Sequence, residues 1–338
     1  MILPAIVRLE DEPEPLRLVD MPVPEPGPGE ILLRVLACGV CHTELDEIEG
    51  RTPPPELPVV LGHEVVGSVV AHGPGAGKFK IGERAGVAWI YSACGQCHWC
   101  RTGQENLCPH FRGTGRDANG GYAEYMVAPE AFVFRIPDAF SDVQAAPLLC
   151  AGAIGYRSLQ LSGLRDGDSL GLTGFGASAH LVLKMVKHRF PATPVYVFSR
   201  TKEEQAFALE LGAVWAGDTE DACPIKLDAI IDTTPAWRPI IYALGNLAPG
   251  GRLVINAIRK ESRDQEELLR LDYPSHLWLE KEIKSVANVV RQDVYEFLAL
   301  AAEIPILPEV QVYPLEDANR ALAELKARRI RGAKVLVP

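Results

Sequence analysis

The sequence contains no uncharged apolar run approaching the roughly 18 residues that a membrane helix needs. Its opening stretch, residues 1–15, shows only a brief apolar patch before acidic residues and prolines. Neither a membrane span nor a secretory leader is expected, and the setting expected is the cytoplasm. A long basic run is also missing: 34 Lys and Arg stand against 44 Asp and Glu, for a net charge of −10. That disfavours nucleic acid as the main partner, because neutralising phosphates needs clustered cations. No internal repeat period is visible. Cysteine is scarce, with eight in 338 residues, too few for a disulfide scaffold. In a reducing compartment, cysteines that cluster then point to metal.

What is present reads as two patterns. Up to about residue 150 the chain is β-rich and irregular, with strand-like runs at 31–37, 65–70 and 124–127 separated by Pro/Gly stretches such as 22–29. From Gly152 to about Val290 strands and helices alternate. Strands are expected at 169–173, 194–199, 227–232, 252–256 and 283–287. Ala179, Val182, Leu183 and Val186 mark one helical face, and 202–211 a second helix ended by Gly212. Such alternation implies an α/β unit with a doubly wound parallel sheet. The last 45 or so residues break the alternation, with a helix at 291–303, a strand at 310–313, a helical face on Ala318, Ala321, Leu322 and Leu325, and a strand at 334–337.

Cys94, Cys97, Cys100 and Cys108 stand at C-x2-C-x2-C-x7-C in a loop rich in Gly, Ser and Gln. Four thiolates can close a tetrahedral shell around zinc, which describes a structural site; unligated surface thiols or an iron–sulfur site compete with that reading. His98 lies inside the loop and reads as a bystander. Cys41, His63 and Cys150 form a second candidate set. Three protein ligands would leave a position open, as catalytic zinc requires, with Glu64 as an alternating fourth ligand or an electrostatic partner. Taken singly, each of the three reads better as a core residue. Cys38 and Cys223 have no partners and read as packing residues.

Gly174, Gly176 and Ala179 form G-x-G-x-x-A after a strand and at the start of a helix, a context that suits the pyrophosphate of a dinucleotide. Where an acidic residue would mark NAD, at the end of the second strand, the chain has Ser199, Arg200, Thr201 and Lys202. An Arg after a small hydroxyl residue suits a 2′-phosphate, so NADP is expected to be favoured over NAD. The competing reading is a solvated turn.

Together these features resemble the zinc-containing alcohol dehydrogenases of the medium-chain dehydrogenase/reductase superfamily, over essentially the whole chain. The run from Gly62 to Gly67 (GHEVVG), continued by Gly73 and Ala76, is similar to the family's G-H-E-x-x-G signature. The four-cysteine loop is similar to its structural-zinc lobe, and 247–255 (LAPGGRLVI) to its late Rossmann strand. The resemblance implies a GroES-like catalytic domain over 1–151 with a zinc lobe at about 90–112. A Rossmann domain over 152–290 and a C-terminal return at 291–338 would follow. It also implies two zinc ions per subunit and a homodimer or homotetramer.

Carried over by position, Cys41, His63 and Cys150 correspond to the catalytic zinc ligands, with Glu64 beside them. Thr43 corresponds to the hydroxyl that bonds the substrate oxygen and starts a proton relay. His42 corresponds to a neighbour of the cofactor phosphate, Arg291 to an arginine that reaches the pyrophosphate, and Trp89 to a bulky pocket residue. Three positions depart from the family pattern. Glu44 replaces an aspartate, so the contact behind His63 is expected to be rearranged. Asp46 stands at a relay histidine, and Ile154 replaces a threonine near the nicotinamide. The activity implied is reversible oxidation of a primary or small secondary alcohol by hydride transfer to NAD(P). The alternatives are a polyol or sugar-alcohol dehydrogenase of the same superfamily, a zinc-free quinone reductase, which would have no use for these ligands, and a non-catalytic zinc- and nucleotide-binding regulator.

Overall fold

The 11-residue strand β1 (Glu30–Val40) is the axis around which the first unit is built. Its apolar residues Ile31, Leu33 and Val35 are buried, each burial contributing about 1.5–3 kcal/mol. After β1 the chain turns into the short helix α1 (His42–Ile48). Strand β2 (Val65–His72) pairs antiparallel with β1 and with β3 (Arg84–Val87). Strand β4 (Tyr125–Pro129) pairs with β1, and β5 (Val133–Arg135) with β3, both antiparallel. The structure, a computed structural model, describes residues 1–304, 306–327 and 332–338. It divides into one unit of Met1–Cys150 with Val289–Pro338 and another of Ala151–Asn288.

The second unit opens with helix α2 (Ala151–Ser162) and carries a six-stranded sheet. Its strands, in chain order, are β6 (Leu170–Thr173), β7 (Val195–Phe198), β8 (Trp215–Gly217), β9 (Leu227–Asp232), β10 (Leu247–Ile255) and β11 (Glu282–Ser285). Every pairing is parallel and the spatial order is β8-β7-β6-β9-β10-β11. This is a doubly wound sheet, and the strand order reverses between β6 and β9, where such sheets open a crevice at their carboxyl ends. Helices α3 (Ala177–Arg189) and α4 (Lys202–Glu210) follow β6 and β7, and α5 (Arg238–Asn246) precedes β10. Strand β10 begins five residues before the stretch expected from sequence. Its Pro249-Gly250 step is absorbed by a register shift between Leu227 and Ala229 on β9.

The chain then re-enters the first unit. Helix α6 (Arg291–Glu303) buries Val294, Phe297, Leu298 and Ala301, a stripe of helical period. Strands β12 (Val310–Pro314) and β13 (Ala333–Val337) pair parallel, and β13 pairs antiparallel with β1, completing a seven-stranded sheet. Helix α7 (Ala318–Lys326) buries Ala318, Ala321, Leu322 and Leu325, the face expected from sequence. Leu322, Leu325 and Leu336 share one apolar core with Ile31, Leu33 and Val69. Among the described residues no helix is long and apolar enough to cross a membrane.

Candidate active site

The pairing of β1 with β2 creates the first candidate metal centre. Cys38 lies opposite Val65 in the antiparallel register. Cys41, three residues beyond Cys38, and His63, two before Val65, therefore meet at the same end of the sheet. A slip of one residue would turn both away. Cys41 occupies the N-cap of α1, and the carboxylate of Glu44 accepts its backbone N–H at 2.8 Å. Cys150 arrives at the end of a buried 3-10 turn, Ala146–Leu149, and its Sγ lies 4.0 Å from that of Cys41.

Cys41, His63, Glu64 and Cys150 thus offer four donor atoms, all within 4.8 Å of one another. The other oxygen of Glu44 lies 2.6 Å from His63 Nδ1, with both side chains fully buried. His63 Nε2 is buried and has no hydrogen-bond partner among the described residues. Glu44, standing where the family pattern has aspartate, serves both His63 and Cys41 through its two carboxylate oxygens. Glu64 is buried above Gly39, where a Cβ would fall 1.7 Å from its carboxylate.

The electrostatics describe a site short of a cation. The neighbouring Cys150 thiol holds the Cys41 pKa well below the ordinary thiol range against the effect of burial, while Cys150 itself is pushed well up. Burial pulls His63 down, but Glu44 and Cys41 outweigh it and raise the imidazole pKa. Burial, reinforced by the Cys41 charge, raises Glu64. Soft and borderline donors, an orphaned ring nitrogen and crowded negative charge fit zinc.

The second cluster is Cys94, Cys97, Cys100 and Cys108. A ZnS4 tetrahedron with bonds of about 2.3 Å has edges of about 3.8 Å. The Cys97–Cys100 and Cys94–Cys100 sulfur separations are 3.6 and 3.9 Å. Backbone N–H groups of Gln96 and Cys97 lower the Cys94 pKa to about 6, whereas burial and the adjoining Cys97 push Cys100 up to about 12. His98 is exposed beside Trp99 and outside the cluster.

Around the first centre, the Thr43 hydroxyl is buried and sits 3.7 Å from Cys41 Sγ. His42 is exposed. Asp46 is committed to Arg51, whose Nε lies 2.6 Å from its carboxylate. Trp89 packs against Phe111 with ring centroids 5.0 Å apart. Arg291, at the start of α6, is bound by Glu105 from the four-cysteine lobe at 2.8 Å and lies over the Phe132 ring. Glu105 escaped the sequence reading; its signal was an acid inside a metal loop. Cys38 is fully buried, and Cys223 packs against the core of the second unit.

In the second unit, Gly174 ends β6 with a φ of +76°, donates its N–H to Phe198 at 2.8 Å, and approaches Thr233 so closely that a Cβ would fall 2.8 Å from its hydroxyl. A Cβ on Gly176 would meet nothing within 4 Å, so the backbone there is open to approach. Ala179 is fully buried in α3. An open glycine turn at the switch point of a parallel sheet, leading into a 13-residue helix, fits a dinucleotide pyrophosphate. Ser199 ends β7 and is buried; Arg200 is exposed, and Lys202 bonds Gln205 at 2.9 Å. Ile154 lies partly buried in α2.

Residues 27–138 match the alcohol dehydrogenase GroES-like domain family. The probable alcohol dehydrogenase AdhA of Mycobacterium tuberculosis (strain CDC 1551 / Oshkosh) is 43% identical over 328 residues, covering 96% of this chain and 93% of that protein. An alcohol dehydrogenase of Geobacillus stearothermophilus is 33% identical over 332 residues, covering 95% of each. The cobalt- and zinc-bound thermostable alcohol dehydrogenase from Pyrobaculum aerophilum superposes with a TM-score of 0.87 at 25% identity, covering 100% of this chain and 98% of that one. With two zinc-competent donor clusters and a doubly wound sheet in place, the chain belongs to the zinc-dependent alcohol dehydrogenases of the medium-chain dehydrogenase/reductase superfamily.

Proposed function

We propose that this alcohol dehydrogenase interconverts small primary or secondary alcohols with their aldehydes or ketones, with NADP favoured over NAD. The observation that carries the reading is the buried donor group of Cys41, His63, Glu64 and Cys150 with the Thr43 hydroxyl 3.7 Å from Cys41 Sγ. Zinc held there would supply Lewis-acid polarisation of the substrate oxygen, and a bound nicotinamide would supply the hydride acceptor. The residues of the chain orient the substrate and move its proton. Thr43 would accept the hydroxyl proton of the alcohol beside Cys41 and pass it outward through its own O–H. Glu44 orients His63, and Glu64 offers a further carboxylate ligand. The Asp46 carboxylate, at the position of the relay histidine, is held by Arg51.

For the cofactor, Gly174, Gly176 and Ala179 supply the pyrophosphate turn, and Ser199, Arg200 and Lys202 favour a 2′-phosphate through charge-assisted hydrogen bonds. His42 offers an exposed ring to a cofactor phosphate. Assigning Arg291 to the pyrophosphate requires its guanidinium to exchange Glu105 for phosphate. A homodimer or homotetramer is supported by β11, an edge strand exposed along its whole length. Trp278 and Leu279, also exposed, stand just before it. Eight unpaired thiols support a cytoplasmic setting.

The test is an initial-rate panel of aliphatic alcohols, polyols and aldehydes with NAD and NADP, on protein of measured zinc content. Thr43→Ala is expected to lower kcat/KM by at least about 100-fold with both zinc equivalents retained. Unchanged turnover in that variant, or a preference for polyols, would overturn the proton role or the substrate class respectively.

A further inference from the structure

The end of β7 carries a carboxylate that its sequence position conceals. The Ser199 carbonyl accepts a hydrogen bond from Gln205 at 2.7 Å, while the Ser199 hydroxyl donates to Glu204. Glu204 is the third residue of α4, whose N-cap Thr201 accepts the Glu204 backbone N–H at 3.2 Å. An acid at this helical position ordinarily turns back to the N–H of its cap residue. Here it reaches past the cap to the strand end. Phe207, three residues along and on the same helical face, packs edge-on against Phe175, the middle residue of the Gly174–Gly176 turn, with centroids 5.8 Å apart. The face of α4 that bears Glu204 is therefore the face turned to the glycine turn. Lys202 is tied to Gln205, and both it and Arg200 are exposed at the strand end.

We propose that Glu204 is a specificity-determining residue of the dinucleotide site. Its carboxylate stands where a strand-end acid would otherwise stand, accepts a hydrogen bond from an adenosine 2′-hydroxyl, and opposes a 2′-phosphate. It thereby offsets the attraction of Arg200 and keeps the enzyme open to both dinucleotides. The inference rests on the reading of the Gly174 turn as a dinucleotide site, and it deepens that reading by naming the residue that limits the NADP preference.

The experiment is direct binding of NADH and NADPH to the full-length enzyme, read by nicotinamide fluorescence, alongside kcat/KM for both cofactors. Glu204→Gln keeps the shape and removes the charge. It is expected to shift the ratio of the two dissociation constants about tenfold or more towards NADPH, through tighter NADPH and weaker NADH. Should that variant fail to fold, Glu204→Asp, which withdraws the charge by one methylene, is expected to shift the ratio the same way by a smaller factor. A ratio that stays put in a folded Glu204 variant while Arg200→Ala moves it overturns the proposal and leaves the site reading intact. Binding of neither dinucleotide by the unaltered enzyme overturns both.

Discussion

Glu44 Oε1 lies 2.6 Å from His63 Nδ1, and the other oxygen of the same carboxylate accepts the Cys41 amide at 2.8 Å. One side chain thus braces two candidate metal ligands, Cys41 just after β1 and His63 just before β2. Charge on the carboxylate makes the imidazole a better donor, and the fixed contact selects Nε2 as the free nitrogen.

Glu44→Gln keeps the length and loses the charge. Zinc affinity at the Cys41–His63–Cys150 centre is expected to fall about 10–100-fold, with the four-cysteine site unaffected. Competition with a chromophoric chelator would resolve the two sites. Equal affinity in the variant would mean that the 2.6 Å contact contributes only packing.

The four-cysteine lobe is tied to α6 through Glu105 and Arg291 at 2.8 Å, so its metal is expected to stabilise more than the loop. Cys97→Ser should lose one of two zinc equivalents and lower the thermal midpoint by about 3 °C or more, in keeping with roughly 2 kcal/mol at this size. Turnover below the new midpoint should be largely kept. Full zinc content with an unchanged midpoint would contradict the lobe's structural role.

Some of this architecture was legible in the residues and some was not, for physical reasons. Most of the parallel sheet was readable because β6, β7, β9 and β10 contain local apolar runs, whereas the three-residue β8 offers none. The glycine turn was readable because backbone approach demands glycine. The four thiols declared themselves by spacing. Helix α1 could not be read this way: it buries Thr43, Glu44, Asp46 and Glu47, polar residues that no apolar periodicity marks. Gly152, Gly155 and serines weaken the helical pattern of α2, and Trp237 and Pro239 frame α5 like a turn. The Glu44–His63 contact, the Glu105–Arg291 pair and the reach of Glu204 to Ser199 are set by strand register and tertiary packing, which no local pattern encodes.

Gly39 is needed for space rather than for backbone freedom. A Cβ there would lie 1.7 Å from Glu64 Oε2 and 2.9 Å from its Cβ. Gly39→Ala should therefore cost about 1–3 kcal/mol in urea unfolding and weaken zinc retention by displacing Glu64. The double variant with Glu64→Ala should recover much of the stability. Strictly additive costs would show that the clash is relieved elsewhere.

Lys334 permits a prediction in pH. It lies in β13 with its side chain 1% exposed, and its ammonium reaches Glu324 and Tyr313 at 2.6 Å each, fastening β13 to β12 and α7. Burial lowers the Lys334 pKa, but Glu324 and Tyr313 outweigh that and raise it; Lys334 and Tyr313 in turn lower Glu324. A lysine whose folded pKa is raised stabilises fully below its unfolded value of about 10.4, and the contribution is lost as pH rises through the folded value. A glutamate whose folded pKa is lowered stabilises above its unfolded value of about 4.3 and loses that contribution as pH falls through the folded value. Between these limits the pair should contribute a plateau. The gap in urea midpoint between the unaltered enzyme and Lys334→Met should be largest near pH 7 and narrow towards both extremes. A gap that does not vary with pH would assign Lys334 to packing alone.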